Sequence, residues 1–299
     1  MILHIVHTTH FEYEIPAFNS QNEMRVKPWD RPGQRCLQFE LTADASASVL
    51  PYRDFFGNEA HSVCVGEPHQ RLSIVANSVV EKYEVQEPHY NEVSFSHFLQ
   101  EDERRKKIYF EFLNASHYVP FTERLRKFFW MAHPAESEDV AAYVMRVVAY
   151  VRDQFEYETS RTTVNSSLED ILKTGGGVCQ DFAHLTIGIL RLAGVPARYV
   201  SGYLAPTLTE PSSVTQQASH AWLEAWLPGL GWVGYDPTNR CRADERHIGM
   251  AIGRDYNDVP PLRGVYSAGG GRSIMRVDLS IEPVTASADS DQQSQQQQQ

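Results

Sequence analysis

Gly175-Gly176-Gly177-Val178-Cys179-Gln180-Asp181-Phe182-Ala183-His184 is the stretch whose reading decides the fold. Three successive glycines let the backbone turn sharply into a helix and leave its first amide N–H groups unobstructed. The helix is predicted from about Val178 to Leu192, where Ala193-Gly194-Val195-Pro196 stops it with glycine and then proline. Cys179 falls in the first turn, where the helix dipole and free N–H groups stabilise a thiolate. The same donors can receive the oxyanion of a tetrahedral intermediate. A lone cysteine is ordinarily a small buried hydrophobe, but this placement shifts the reading toward a nucleophile. Cys36, Cys64 and Cys241 have no such context and read as ordinary thiols, and no C-x-x-C pattern occurs.

Downstream, a thiolate needs an imidazole. His184 lies five positions along the same helix and points roughly 140° away from Cys179, so it reads as structural. His220 lies on a strand, Ser219-His220-Ala221-Trp222-Leu223-Glu224-Ala225-Trp226, and shares a face with Trp222, Glu224 and Trp226. The following segment, Gly231-Trp232-Val233-Gly234-Tyr235-Asp236-Pro237-Thr238-Asn239, supplies a carboxylate. If Leu227-Pro228-Gly229-Leu230-Gly231 closes a hairpin, Trp226 faces Trp232 and Trp222 faces Asp236. Asp236 is then diagonal to His220 on one face, at roughly 7 Å or less. A loop one residue shorter would send the two to opposite faces. Asp236 has a plainer role available as a turn residue before Pro237. Gln180 is a candidate for the oxyanion pocket or substrate. Trp222, with Trp226 and Trp232, could wall an acyl-binding channel, although core packing is the commoner role. Asp181 suits a first-turn acid with a structural part.

Upstream, two amphipathic helices are expected. Thr122-Glu123 opens one with Leu125, Phe128, Phe129 and Met131 on its apolar side, and another starts near Ser137 and buries Val140, Tyr143, Val144, Val147, Val148 and Val151. Leu168 to Thr174 reads as one or two more turns, and Glu101 to Lys107 as a solvated charge run. From Ile2 to about Glu87 the pattern is of strands (Leu3–Tyr13, Gln21–Lys27, Leu37–Thr42, His61–Val65 and Arg71–Val85), predicting an all-β sandwich. His4, His7 and His10 cannot converge on a metal there, because His7 faces opposite to the other two. Strands return over Ala197–Leu204, Ser219–Leu227, Trp232–Asp236, His247–Arg254 and Ile274–Pro283, and the Gln-rich end, Gln295 to Gln299 included, reads as disordered.

The whole chain has 299 residues, with 27 Lys+Arg against 38 Asp+Glu, a formal charge of −11. That argues against a nucleic-acid partner. The start Met1-Ile2-Leu3-His4 lacks a basic, then apolar, leader, and no apolar run is long enough to cross a membrane. A cytoplasmic protein without a membrane partner is the expectation.

Taken together, Gly177-Val178-Cys179-Gln180-Asp181-Phe182-Ala183-His184, His220-Ala221-Trp222 and Gly231 to Asn239 resemble the three core motifs of bacterial transglutaminase-like proteins. Residues 1 to about 85, with His7-Thr8-Thr9-His10-Phe11-Glu12-Tyr13 and Asp54-Phe55-Phe56-Gly57-Asn58, resemble the group's N-terminal β domain, and Gly253 to Gly264 its C-terminal segment. The resemblance implies an α+β fold: a sandwich-like all-β domain over 1–87, a papain-like core over 88–284 with the nucleophile-bearing helix on an antiparallel sheet, and a tail over 285–299. It implies Cys179 as nucleophile, His220 as base and then acid, and Asp236 orienting the imidazole. Attack on an amide carbonyl expels an amine, and water or a second amine takes the acyl group. Hydrolysis of a peptide or protein amide, without cofactor or metal, is the favoured expectation. Transamidation is the alternative, and a binding module that keeps only the fold is the third. Homo-oligomerisation stays open.

Overall fold

In a computed structural model of the chain, the described residues are 1–44, 46–86, 89–100, 102–158, 166–206, 219–268 and 270–284. The tail expected over 285–299 and the domain exit at Glu87-Pro88 lie outside them. The N-terminal part is five strands: β1 (Ile2–Met24), β2 (Gln34–Ala43), β3 (Ser48–Arg53), β4 (Glu59–Val65) and β5 (His69–Lys82). The helices follow as α1 (Phe95–Gln100), α2 (Asp102–Ile108), α3 (Glu123–Met131), α4 (Val140–Gln154), α5 (Leu168–Thr174) and α6 (Cys179–Leu192). Between them, β6 (Glu156–Tyr157) pairs in parallel with β7 (Gly176–Gly177). The remaining strands are β8 (Ala197–Leu204), β9 (Ser219–Leu227), β10 (Gly231–Asp236), β11 (Cys241–Arg242), β12 (His247–Gly253), β13 (Leu262–Ser267) and β14 (Ser273–Pro283), and short 3-10 turns form at Phe110–Phe112 and Tyr256–Asp258.

The two strands expected over Leu3–Tyr13 and Gln21–Lys27 are one strand of 23 residues. Its first half alternates, with Leu3, Ile5, His7 and Thr9 buried, and it lies between β5 and β14. Its second half lies between β4 and β13. The register against β5 shifts between Glu12 and Ala17, where the strand bends from one face of the sandwich-like, near-barrel region to the other. The strand expected over Ile274–Pro283 therefore joins the N-terminal sheet, and β3 was not foreseen. His7 faces inward to the Tyr203 hydroxyl at 2.8 Å, while His4 and His10 meet Asn77 and Ser73 at the surface.

The second sheet has the order β11-β10-β9-β8-β12, all antiparallel. One face, with Ala197, Tyr199, Leu223, Ala225 and Tyr235, packs on α6. Every residue of α6 from Gln180 to Arg191 is buried, which explains why the helix is apolar nearly all round. All six positions expected to be buried on α4 are buried, and Asp139 caps it by accepting from Ala142 N–H at 2.9 Å. On α3, Leu125 is buried, but Met131, placed on the apolar side by periodicity, is 72% exposed at the last turn. Of the charge run, Asp102 to Lys107 lie in α2. At the other end of the sheet, Tyr203, Ile248 and Met250 join the core of the N-terminal β region, so the two regions share buried apolar surface.

Candidate active site

Gly175 adopts φ +74°, closing α5 in a left-handed conformation that suits glycine. At Gly177 a Cβ would meet Asp181 Oδ2 at 2.5 Å. That close approach lets the buried Asp181 carboxylate accept from Val178 N–H at 2.9 Å, tying the start of α6 to the incoming chain. Asp181 thus takes the structural part read from the sequence. Cys179 is left partly exposed at the first turn, with the helix N-terminus behind it.

The hairpin β9–β10 pairs Leu227 with Gly231 and Trp226 with Trp232, the register that odd parity required. At its open end His220 and Asp236 meet, with Nε2 2.7 Å from Oδ2. Since Nε2 is committed to Asp236, Nδ1 is the nitrogen left for the hydrogen bond between His220 and Cys179. Burial alone would push the imidazole pKa down. The hydrogen bonds to Asp236 and Cys179, and the charges of both, outweigh it, and the pKa rises to about 9.

Asp236 is fully buried, a costly place for a carboxylate unless its lone pairs are filled. They are filled here: Oδ2 takes His220, Asn239 Nδ2 at 2.6 Å and His247 Nε2 at 3.0 Å, and Oδ1 takes the backbone N–H groups of Thr238 at 2.9 Å and Asn239 at 3.2 Å. Burial raises its pKa, but the donors overcome that and hold it far below the usual carboxylate range. The turn role foreseen for Asp236 and its contact with His220 therefore coexist, one oxygen serving each.

His247 was read only as the beginning of a strand. Its Nε2 lies 3.0 Å from Asp236 Oδ2, and its Nδ1 meets both the N–H and Oδ1 of Asp244, at 3.0 and 2.9 Å, so the ring bridges two carboxylates. No local spacing relates His247 to Asp236; the pairing of β12 with β8 brings it there. Asn239 stood in the quoted motif without a role. Tyr157, on β6, packs its ring against Phe182 of α6, and burial, then the charges of Cys179 and Asp236, push its phenol pKa up.

Trp222 is 3% exposed, stacked on His220 at 6.0 Å and edge-on to His247 at 5.2 Å. It holds the two rings and lines no open channel. Trp226 and Trp232 cluster instead with Tyr109. Gln180 is buried in the first turn of α6. His184 is buried between Tyr118 and Tyr199, accepts from Tyr256 N–H at 3.1 Å, and is pushed by burial down to about 3. A cavity of about 470 Å³ opens elsewhere, by Arg25, Phe55, Arg254 and Arg263, and none of Cys179, His220 and Asp236 lines it.

His220, Asp236 and His247 offer ligand atoms within 4.8 Å of one another. Their contacts of 2.7 and 3.0 Å are shorter than the roughly 3.3 Å between donors around a tetrahedral zinc. The spacing is that of N–H groups bonded to a carboxylate.

Residues 132–237 match the transglutaminase-like superfamily, and residues 3–81 match the bacterial transglutaminase-like N-terminal region. An uncharacterized protein of Mycobacterium leprae is 34% identical over 281 residues, covering 94% of this chain and 97% of its own. The chain belongs to the transglutaminase-like superfamily. An uncharacterized Mycobacterium tuberculosis protein is 31% identical over 299 residues, covering 95% and 93% of the two chains. A protein-glutamine gamma-glutamyltransferase of Pseudomonas aeruginosa is 32% identical over 144 residues, 44% of this chain and 21% of that one. A crystal structure from Cytophaga hutchinsonii, solved as a candidate cysteine protease, superposes with a TM-score of 0.72 at 20% identity, covering 95% and 92% of the two chains. It shares the fold. Members of the superfamily are typically enzymes, and their chemistry is cysteine-based acyl transfer. Among the described residues no helix is long and apolar enough to cross a membrane.

Proposed function

We propose that the protein is a cysteine amidase or peptidase with Cys179 as nucleophile, His220 as base and acid, and Asp236 as the group that orients His220. The observation that carries this reading is the His220–Asp236 contact of 2.7 Å beside a cysteine at a helix start. The Cys179 thiolate attacks an amide carbonyl carbon, and N–H groups at the start of α6 receive the oxyanion. The His220 imidazolium gives its proton to the leaving amine, and a thioester remains on Cys179. Neutral His220 then takes a proton from water, whose oxygen attacks the thioester. Collapse releases the carboxylic acid and the Cys179 thiolate, and His220 keeps the proton taken from water, which restores the thiolate–imidazolium pair. A buried, fully bonded Asp236 needs no rearrangement as the imidazolium forms and discharges.

The likeness of the core to the Pseudomonas aeruginosa gamma-glutamyltransferase favours transamidation as a second reading, in which an amine replaces water at the thioester. One experiment separates the two. The protein is incubated with glutamine-bearing peptides and a labelled primary amine, and ammonia release, amine incorporation and peptide cleavage are followed by mass spectrometry. Cleavage or deamidation without amine incorporation supports hydrolysis; incorporation at the expense of hydrolysis supports transamidation. No acyl-enzyme on Cys179 with any amide or ester substrate favours a binding module.

A further inference from the structure

β12 is the last strand of the second sheet, so its outer edge would present unpaired N–H and C=O groups. Side chains of the N-terminal β region fill that edge. Gln34 makes both bonds of a peptide neighbour with Gly249, its Nε2 to the carbonyl at 2.9 Å and its Oε1 from the N–H at 3.0 Å. Asn58 does the same with Ile252, at 2.8 and 2.9 Å. Lys82 donates to the His247 carbonyl at 2.7 Å. The Trp29 ring covers Gly249 so closely that a Cβ there would lie inside it. Gln34, Asn58 and Lys82 are 2%, 5% and 9% exposed. Burying an ammonium group is costly, and covering an apolar face needs neither a lysine nor two carboxamides in peptide geometry.

From the residue whose carbonyl Lys82 holds, the His247 side chain runs to Asp236 Oδ2, the oxygen that also binds His220. We propose that the N-terminal β region is a positioning part of the active site: Lys82, Gln34 and Asn58 stand in for a missing strand on β12 and hold His247 against the carboxylate that orients His220. The proposal rests on the catalytic reading of Cys179, His220 and Asp236. It gives the β region a task in catalysis besides any part in choosing the substrate. Asp236 and Asp244 are the charged groups on the His247 ring, and Asp244 and Glu245 act on Lys82. None of these is altered by the substitutions that follow.

The test uses the full chain as Lys82→Met, Gln34→Leu and Lys82→Arg, with circular dichroism at a temperature where each is folded. Cys179 alkylation by iodoacetamide is followed against pH. Lys82→Met and Gln34→Leu are expected to slow labelling at pH 7 at least tenfold and to move its alkaline limb below about 9, while Lys82→Arg, which keeps a donor for the His247 carbonyl, restores most of the rate. Folded Lys82→Met and Gln34→Leu proteins with the wild-type pH profile would overturn the proposal. Should these two not fold, His247→Gln, which leaves the edge pairing intact, reads the last link, and a wild-type profile there overturns it equally. If wild-type Cys179 labels no faster than a model thiol, the catalytic reading has failed. Nitrogen NMR of the His247 ring then tests the clamp alone, a spectrum unchanged by Lys82→Met or Gln34→Leu contradicting it.

Discussion

At the residue scale the site turns on one oxygen. Asp236 Oδ2 accepts from two imidazoles and a carboxamide, so removing its charge frees His220 and leaves buried donors without a partner. In Asp236→Asn, turnover should fall on the order of 10³–10⁴-fold, and the alkaline limb of the rate profile should move from about 9 toward 6.5; steady-state kinetics over pH 5–10 check both. Cys179→Ala should cost on the order of 10⁴ or more. The same pair leaves a mark on stability. His220 has its pKa raised in the folded state, so its contribution is complete below pH 6.5 and is lost as pH climbs to about 9. With the side chain 11% exposed, that rise is worth up to about 3 kcal/mol. Denaturation of wild type and His220→Gln should diverge below pH 6.5 and converge above about 9; a constant gap across that window would contradict the ion pair. The meeting of His220 with Asp236 was legible because both stand in short motifs joined by one hairpin. His247 was not, because nothing near it in sequence signals that it meets Asp236.

Elements decide which side chains can meet. The odd parity between His220 and Asp236 could be read in advance because a short hairpin fixes its own register, and Trp226 does oppose Trp232. α4 was legible for a similar reason: a helix announces its buried stripe within its own residues. Strand partners far apart in sequence carry no such mark. β1 reads as two strands because its exposed middle interrupts the alternation, and β14 gives no sign that it will pair with β1. Met131 fits the α3 period yet faces solvent at the helix end, while Phe128 and Phe129 of the same turn take the packed positions. The start of α6 offers an element-scale prediction. Gly177→Ala would drive a Cβ against Asp181, costing about 1–3 kcal/mol and shifting the first turn that carries Cys179. Chemical denaturation and Cys179 labelling should change together; a protein of wild-type stability and reactivity would contradict this account of the capped turn.

For the molecule as a whole, the N-terminal sheet and the second sheet share a core through Tyr203, Ile248 and Met250, and β13 and β14 return from the transglutaminase-like core to flank β1. The linear order suggested a β domain followed by a catalytic one, whereas the chain leaves the first sheet, builds the second and comes back. Such interleaving should make unfolding cooperative, with one calorimetric transition; two separated transitions would contradict the shared core. The net charge of −11 bears on solubility and on the steering of charged ligands, not on the fold. Whether Cys179 is an activated nucleophile is tested most directly by its second-order rate of alkylation by iodoacetamide at pH 7, in wild type and in folded His220→Ala. The account predicts labelling well above that of a model thiol in wild type and a loss of at least tenfold in His220→Ala; equal rates in the two proteins, no faster than the model thiol, would contradict it.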